Sequence, residues 1–427
     1  MQLSSILQRF NEPETLKMAK LGRELKAKGF DITDLSLGEP DFDTPDHIKM
    51  AAKKAIDENY SHYTPVAGYL DLREAVCTKL KRDNNLDYTP DQIVVSTGAK
   101  QSIANTVISI VDKGDEVIIP TPYWVTYSEI VRMAGGEVKF VNTSIRNDYK
   151  ITPEELKEAI TERTKLFMFS SPCNPTGAVY SKAELSNLAD VFKKHPNVFI
   201  MSDEIYEYIN YEGQPNSADS RRPEPMASDG ATMGNHNSAL ASMGKHESIA
   251  QFEFLKDRVI LINGLSKGYA MTGWRLGYIA APATVAKACE KIQGQVTSGA
   301  NAVTQRAAIA ALSGDMKPTA MMVTEFVKRR KRVMELVKDL PGVVCSEPQG
   351  AFYVFPVVNK YFGKSDGEDK IENADDLCMY LLNKAHVSTV TGKAFGEPNC
   401  IRISFANSME NIEKGFGKIK AALAKLL

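Results

Sequence analysis

The 427-residue sequence has no surplus of charge, no clustered cysteines and no long apolar run, and each absence removes a class of function. Lys and Arg number 52 against 53 Asp and Glu, so no net field draws the chain to nucleic acid or to an anionic membrane, and neither partner is expected. No stretch is apolar over the length a bilayer demands, and the opening Met1-Gln-Leu-Ser-Ser5 lacks the charged-then-apolar order of a secretory signal. The expectation is a cytoplasmic protein. Cys77, Cys173, Cys289, Cys345, Cys378 and Cys400 lie far apart without CxxC spacing, which favours buried free thiols over a zinc site or a disulfide framework. The histidines show no HExxH-type pair, so metal hydrolysis has no basis in the sequence and no metal is expected.

What is present is an alternation. Short apolar runs at Ile93–Thr97, Glu116–Ile119, Lys165–Phe169, Val198–Met201 and Arg258–Asn263 each close on polar or Gly/Pro residues, and amphipathic stretches such as Lys100–Val111 separate them. This pattern predicts an α/β fold whose mainly parallel central sheet is covered by helices. Beyond about residue 300 the texture changes to charged helices and two strand-like runs, Gly350–Phe355 and Cys400–Phe405, read as a second, α+β domain. The basic run within Glu325–Arg332 reads as a solvated helix face. Glu212–Glu247, rich in Ser, Asn, Gly, Pro and Met with little apolar periodicity, reads as a long surface insertion.

Ligands in such sheets sit beyond the carboxyl ends of the strands, so the residues following each run are the candidates. Lys267 follows the run ending at Asn263, with Ser266 before it and Arg275 eight positions on. An amine held there can form a Schiff base with an aldehyde cofactor while Ser266 and Arg275 grip a phosphate, although a lone lysine after a strand is more often a solvated loop residue. Pyridoxal phosphate has both groups. Asp203 can pair with a protonated pyridine nitrogen or cap a helix, and Tyr206 lies three residues on. Asn174, between turn-forming prolines, offers a fixed amide or simply a loop, and Gly98-Ala99-Lys100 opens a helix whose N–H groups can hold phosphate. Trp124 can stack on an aromatic ring or pack in the core. Arg402, a charge inside the apolar run Ile401–Phe405, needs an anion, which a substrate carboxylate or an internal acid would supply.

Taken together, Leu37-Gly-Glu-Pro-Asp-Phe-Asp-Thr-Pro45, Tyr63-Thr-Pro-Val-Ala-Gly68, Asn174-Pro-Thr-Gly177, Ser202-Asp-Glu-Ile-Tyr206 and the Gly264–Arg275 segment resemble the class I pyridoxal-phosphate aminotransferases, specifically the bacterial-type aspartate aminotransferases, in order and approximate spacing from Leu35 onward. The resemblance implies fold type I, with a large domain at 47–300 and a small domain made from 1–46 and 301–427. It implies that Lys267 carries the cofactor as a Schiff base and moves the substrate's α-proton. Asp203 would meet the pyridine nitrogen, Tyr206 and Asn174 the phenolic oxygen, and Trp124 the ring face. Gly98, Ala99, Lys100, Ser266 and Arg275 would cradle the phosphate, joined by Tyr63 from the neighbouring subunit of a homodimer. Arg402 and Asn174 would hold the α-carboxylate, with Gly38 and Trp124 also lining the substrate site. L-aspartate with 2-oxoglutarate by ping-pong transfer is the implied reaction. Alanine, aromatic or kynurenine-type donors, or a lyase on the same scaffold, are alternatives. A non-catalytic regulator would require a DNA-binding module for which the stretch before the match leaves no room.

Three departures from the family pattern stand out. The insertion is about thirty residues longer than the usual loop, Val390-Thr-Gly392 replaces the usual Val-Pro-Gly, and Glu12 falls where prephenate-using relatives carry a basic residue, which argues against that activity.

Overall fold

The computed structural model describes residues 3–12, 14–211, 239 and 243–426. Its centre is a sheet of seven strands: β1 Ile93–Ser96, β2 Glu116–Thr121, β3 Glu137–Asn142, β4 Thr164–Ser170, β5 Phe199–Asp203, β6 Val259–Gly264 and β7 Gly277–Ala280. Their spatial order is β1-β7-β6-β5-β4-β2-β3. β7 runs antiparallel to both its neighbours, and the pairs β6/β5, β5/β4, β4/β2 and β2/β3 are parallel. The expected mainly parallel sheet is therefore present, with one strand reversed.

The inner strands are apolar on both faces because both faces are covered. Ile118, Phe167, Ile200 and Leu261 enter one buried cluster, while their chain neighbours Val117, Leu166, Met201 and Ile260 enter another on the opposite side. Period-2 alternation thus feeds two cores and leaves no polar face. Edge strand β3 differs: Glu137, Lys139 and Asn142 leave it partly exposed, so it lacks the apolar signature of the others.

After the sheet, β8 Tyr353–Val354, β9 Val390–Thr391 and β10 Ile401–Ser404 form an antiparallel sheet in the order β9-β10-β8. Nearby, Thr33–Asp34 pairs in parallel with Val387–Ser388, joining the beginning of the chain to its end. Thr391 adapts the altered Val-Thr-Gly segment by accepting from the Lys393 amide at the head of a short helical turn, Gly392–Phe395.

One expectation is corrected. The basic run in helix Lys317–Lys338 is not wholly solvated, because Arg329 is buried, bonds Asp41 at 2.6 Å and stacks on Phe42. Its neighbours Arg330 and Arg332 pair with Glu347 and with Glu335 and Glu413. All six cysteines are free, four of them buried. Among the described residues no helix is long and apolar enough to cross a membrane. Of the expected insertion, 212–238 and 240–242 lie outside the described residues; on its far side the Gly244 amide donates to Asn210 O at 2.9 Å.

Candidate active site

Parallel strands bring their carboxyl ends to one rim. β5 ends on Asp203, in register with Ile262 of β6, and the chain leaving β6 reaches Ser266 and Lys267 a few residues later. Because β7 is reversed, its beginning lies at the same rim: Gly277 pairs with Gly264 on one side and Ser96 on the other, so Arg275 arrives beside the start of helix Ala99–Ile110. Asp203, Ser266, Lys267, Arg275 and Ala99 at this rim, together with Gly38 and Arg402, border a cavity of 540 Å³ that also takes in Lys100, Trp124, Asn174 and Tyr206.

The Lys267 amine donates to the carbonyl of Gly38. Removal from water is the main influence on it, and its pKa is pushed down to about 8; Glu39 opposes the shift and the Arg402 charge adds to it. A lysine so placed is a usable base near neutrality. Asp203, 4% exposed, accepts from the Tyr127 hydroxyl at 2.6 Å and from the Ile205 amide at 3.2 Å, so it caps a turn and faces the cavity at once. Burial pushes its carboxyl up to about 6 despite those donors. It forms no ion pair among the described residues.

Arg402 has no internal acid to pair with among the described residues. It is 2% exposed: Nη1 donates to Asn174 Oδ1 at 3.0 Å, Nη2 to Ser36 O at 2.6 Å, and Nε has no partner among them. Neutral oxygens leave the charge uncompensated, and the adjoining cavity is where an anion would meet it. The rings of Tyr353 and Phe395 flank the guanidinium at 4.5 and 4.9 Å.

At the other end, Gly98 has φ +86° and no side chain caps the helix behind it. A Cβ at Gly98 would sit 2.5 Å from Arg275 Nη2, and one at Gly277 would overlap the Ala99 amide nitrogen. Bare backbone, a helix N-terminus and a guanidinium are thereby pressed together, the arrangement an anionic phosphate requires. Lys100 Nζ lies 5.0 Å from the Trp124 ring centre, adding positive charge.

Residues 31–419 match the family described as aminotransferase class I and II. The chain belongs to that family. This aminotransferase is 41% identical over 426 residues to an aspartate/prephenate aminotransferase of Cereibacter sphaeroides, covering 99% of each chain. Its fold matches a crystal structure of the aspartate aminotransferase from Rhizobium meliloti with TM-score 0.90 and 36% identity over all of both chains. It also matches the Thermus thermophilus aspartate aminotransferase with maleate, with TM-score 0.86 and 33% identity, covering 99% of this chain and all of that one. The architecture is fold type I, and the enzyme is a pyridoxal-phosphate-dependent transferase.

The cavity of this aminotransferase fits that cofactor. The amine, the buried carboxylate without a cation and the helix start beside Arg275 are separate features, and each has a complementary group on pyridoxal phosphate. Every sequence candidate except Gly98 and Tyr63 borders the cavity directly. Gly98 lies beneath it against Arg275. Tyr63 is 99% exposed beside His62, Thr64 and Asn301, in a groove separate from the cavity. Two contacts at the cavity are not legible in the sequence: Tyr127 on Asp203, and Tyr353, whose hydroxyl meets that of Tyr206 at 2.7 Å. Neither lies just after a strand, and both read as ordinary core aromatics.

Proposed function

We propose that the enzyme transfers the amino group of L-aspartate to 2-oxoglutarate, giving oxaloacetate and L-glutamate in alternating half-reactions. The observation carrying this reading is Arg402, a buried guanidinium with only neutral partners at the edge of the cavity that holds Lys267 and Asp203. The named activities of the relatives and the maleate bound by the Thermus enzyme support a dicarboxylic substrate.

In this reading Arg402 and Asn174 fix the substrate's α-carboxylate, which orients the Cα–H bond toward Lys267. When bound, pyridoxal phosphate supplies an electron sink for the charge that develops at Cα. Lys267 would be the group that takes and returns the proton at Cα, its lowered pKa favouring the free amine this needs. Asp203, steadied by Tyr127, would hold the cofactor at its pyridine nitrogen. Tyr206 and Asn174 would hold the phenolic oxygen, Trp124 the ring face, and Ser266, Arg275 and the Gly98–Lys100 turn the phosphate.

The full exposure of Tyr63 is consistent with a homodimer in which it completes the neighbouring site. The pairing of Thr33–Asp34 with Val387–Ser388 supports a small domain built from both chain ends. Helix Ala302–Ser313 packs on Asp46–Asp57 and Leu70–Asn84, so we place the domain division after Ser313 rather than at 300.

The test is direct. Purified protein loaded with pyridoxal phosphate should show a visible absorption band that aspartate bleaches and 2-oxoglutarate restores, with oxaloacetate and glutamate as products. Lys267→Ala should abolish turnover while retaining cofactor without a covalent bond. Release of ammonia or of a cleaved side chain would establish a lyase instead. Prephenate offered as acceptor tests the reading of Glu12, and the expected result is poor use.

A further inference from the structure

Tyr353 sits where three parts of the site meet. It is fully buried on β8, its hydroxyl lies 2.7 Å from that of Tyr206, and its ring lies 4.5 Å from the Arg402 guanidinium carbon. Its hydroxyl also abuts Gly38, where an added Cβ would stand 2.5 Å from it, and the Gly38 carbonyl receives the Lys267 amine. Each phenol has one proton to donate. Burial holds the Tyr206 phenol well above its ordinary range and raises that of Tyr353, so both stay protonated at working pH. If Tyr206 gives its proton to the cofactor's phenolic oxygen, the contact between the two tyrosines must run from Tyr353 to Tyr206.

We propose that Tyr353 is a positioning residue for transamination: its hydroxyl donates to Tyr206 and so directs the Tyr206 proton to the cofactor, while its ring holds the Arg402 guanidinium toward the substrate carboxylate. This rests on the reading of the cavity given above, in which Tyr206 faces the cofactor's phenolic oxygen. Donation into Tyr206 polarises its O–H bond and strengthens its own donation. One side chain therefore serves both cofactor and substrate, through different atoms.

Two variants separate the atoms. Tyr353→Phe keeps the ring and removes the donor; Tyr353→Leu removes both. The readouts are absorbance of the bound cofactor against pH and the KM for aspartate. Tyr353→Phe should raise the pH midpoint of the absorbance change by about half to one unit, the worth of one net hydrogen bond, with KM changed less than twofold. Tyr353→Leu should shift the midpoint similarly and raise KM about tenfold, a loss of the size a desolvated cation–π contact supplies. An unmoved or lowered midpoint in Tyr353→Phe would overturn the proton order, and equal KM values in the two variants would overturn the role of the ring. A wild-type protein that binds no pyridoxal phosphate would instead overturn the function proposed above, so the two failures are distinguishable.

Discussion

Replacing Asp203 by asparagine separates the burden its carboxylate places on the fold from its service to the cofactor. In the protein without cofactor the group is buried and its pKa is pushed from 3.8 to about 6, chiefly by burial. The unfolded chain loses that proton near the ordinary value, so the folded state binds it more tightly throughout the interval between. The stability this contributes is complete below about pH 4 and is lost as pH rises through about 6. At about 1.4 kcal/mol per pKa unit, the loss between pH 4 and pH 7.5 is about 2 to 3 kcal/mol. Asparagine has no proton to release and can still accept from Tyr127, so the stability of the variant relative to wild type should improve by that amount over the same range. Urea unfolding of both cofactor-free proteins, at one protein concentration and followed by tryptophan fluorescence, measures it. With cofactor bound the order should invert, because only the carboxylate can oppose a protonated pyridine nitrogen. Losing that charge-assisted hydrogen bond, worth about 1.5 to 3 kcal/mol, should weaken cofactor binding roughly 10- to 100-fold at pH 7.5. A variant-minus-wild-type difference that stays flat with pH in the cofactor-free proteins would refute the reasoning.

Three further outcomes follow from the same geometry. The Lys267 amine, pushed down to about 8, should react with an amine-directed reagent in the cofactor-free protein at a rate that rises through pH 8 and levels above it, well below the range of surface lysines; mapping the labelled peptide checks this. Arg402→Lys keeps the charge but loses the planar fork between Asn174 and Ser36, and kcat/KM for aspartate should fall about 30-fold, equivalent to about 2 kcal/mol. Gly98→Ala places a methyl group against Arg275 at φ +86°, and the dissociation constant for pyridoxal phosphate, measured by equilibrium dialysis, should rise at least about tenfold.

Legibility in the sequence followed burial. β2, β4, β5 and β6 were readable because strands covered on both faces are continuously apolar, and their ends then marked where chemistry would collect. β3 was not read because half its residues face outward, and β7 was not because Gly-Tyr-Ile-Ala is too short to carry a period. Lys267, Asp203 and Asn174 are legible because each follows an apolar strand-like run, and Arg402 because it is a charge inside one. Tyr127 and Tyr353 were missed for the converse reason, since a tyrosine in a helix or strand buries like phenylalanine and its hydroxyl partner lies far away in the chain. Only the fold shows that the partners of Arg402 are neutral.

The reversal of β7 explains why so much of the site fits into twelve consecutive residues. A parallel strand after β6 would need a crossover that carries the chain to the far rim before returning, separating Lys267 from any phosphate ligand that follows it. An antiparallel return needs only a short excursion, here the turn Thr272–Trp274, and it delivers Arg275 to the rim that Lys267 has just left. The cost falls on the backbone. Gly264 pairs with Gly277, and a Cβ at Gly264 would stand 2.9 Å from the Gly277 Cα, while one at Gly277 would strike the first turn of the helix at Ala99. Both positions are glycine because two strands and a helix start converge at that point without room for a side chain. The closeness that excludes side chains there also sets bare amides beside the Arg275 guanidinium, and the short return strand keeps that helix start near Lys267.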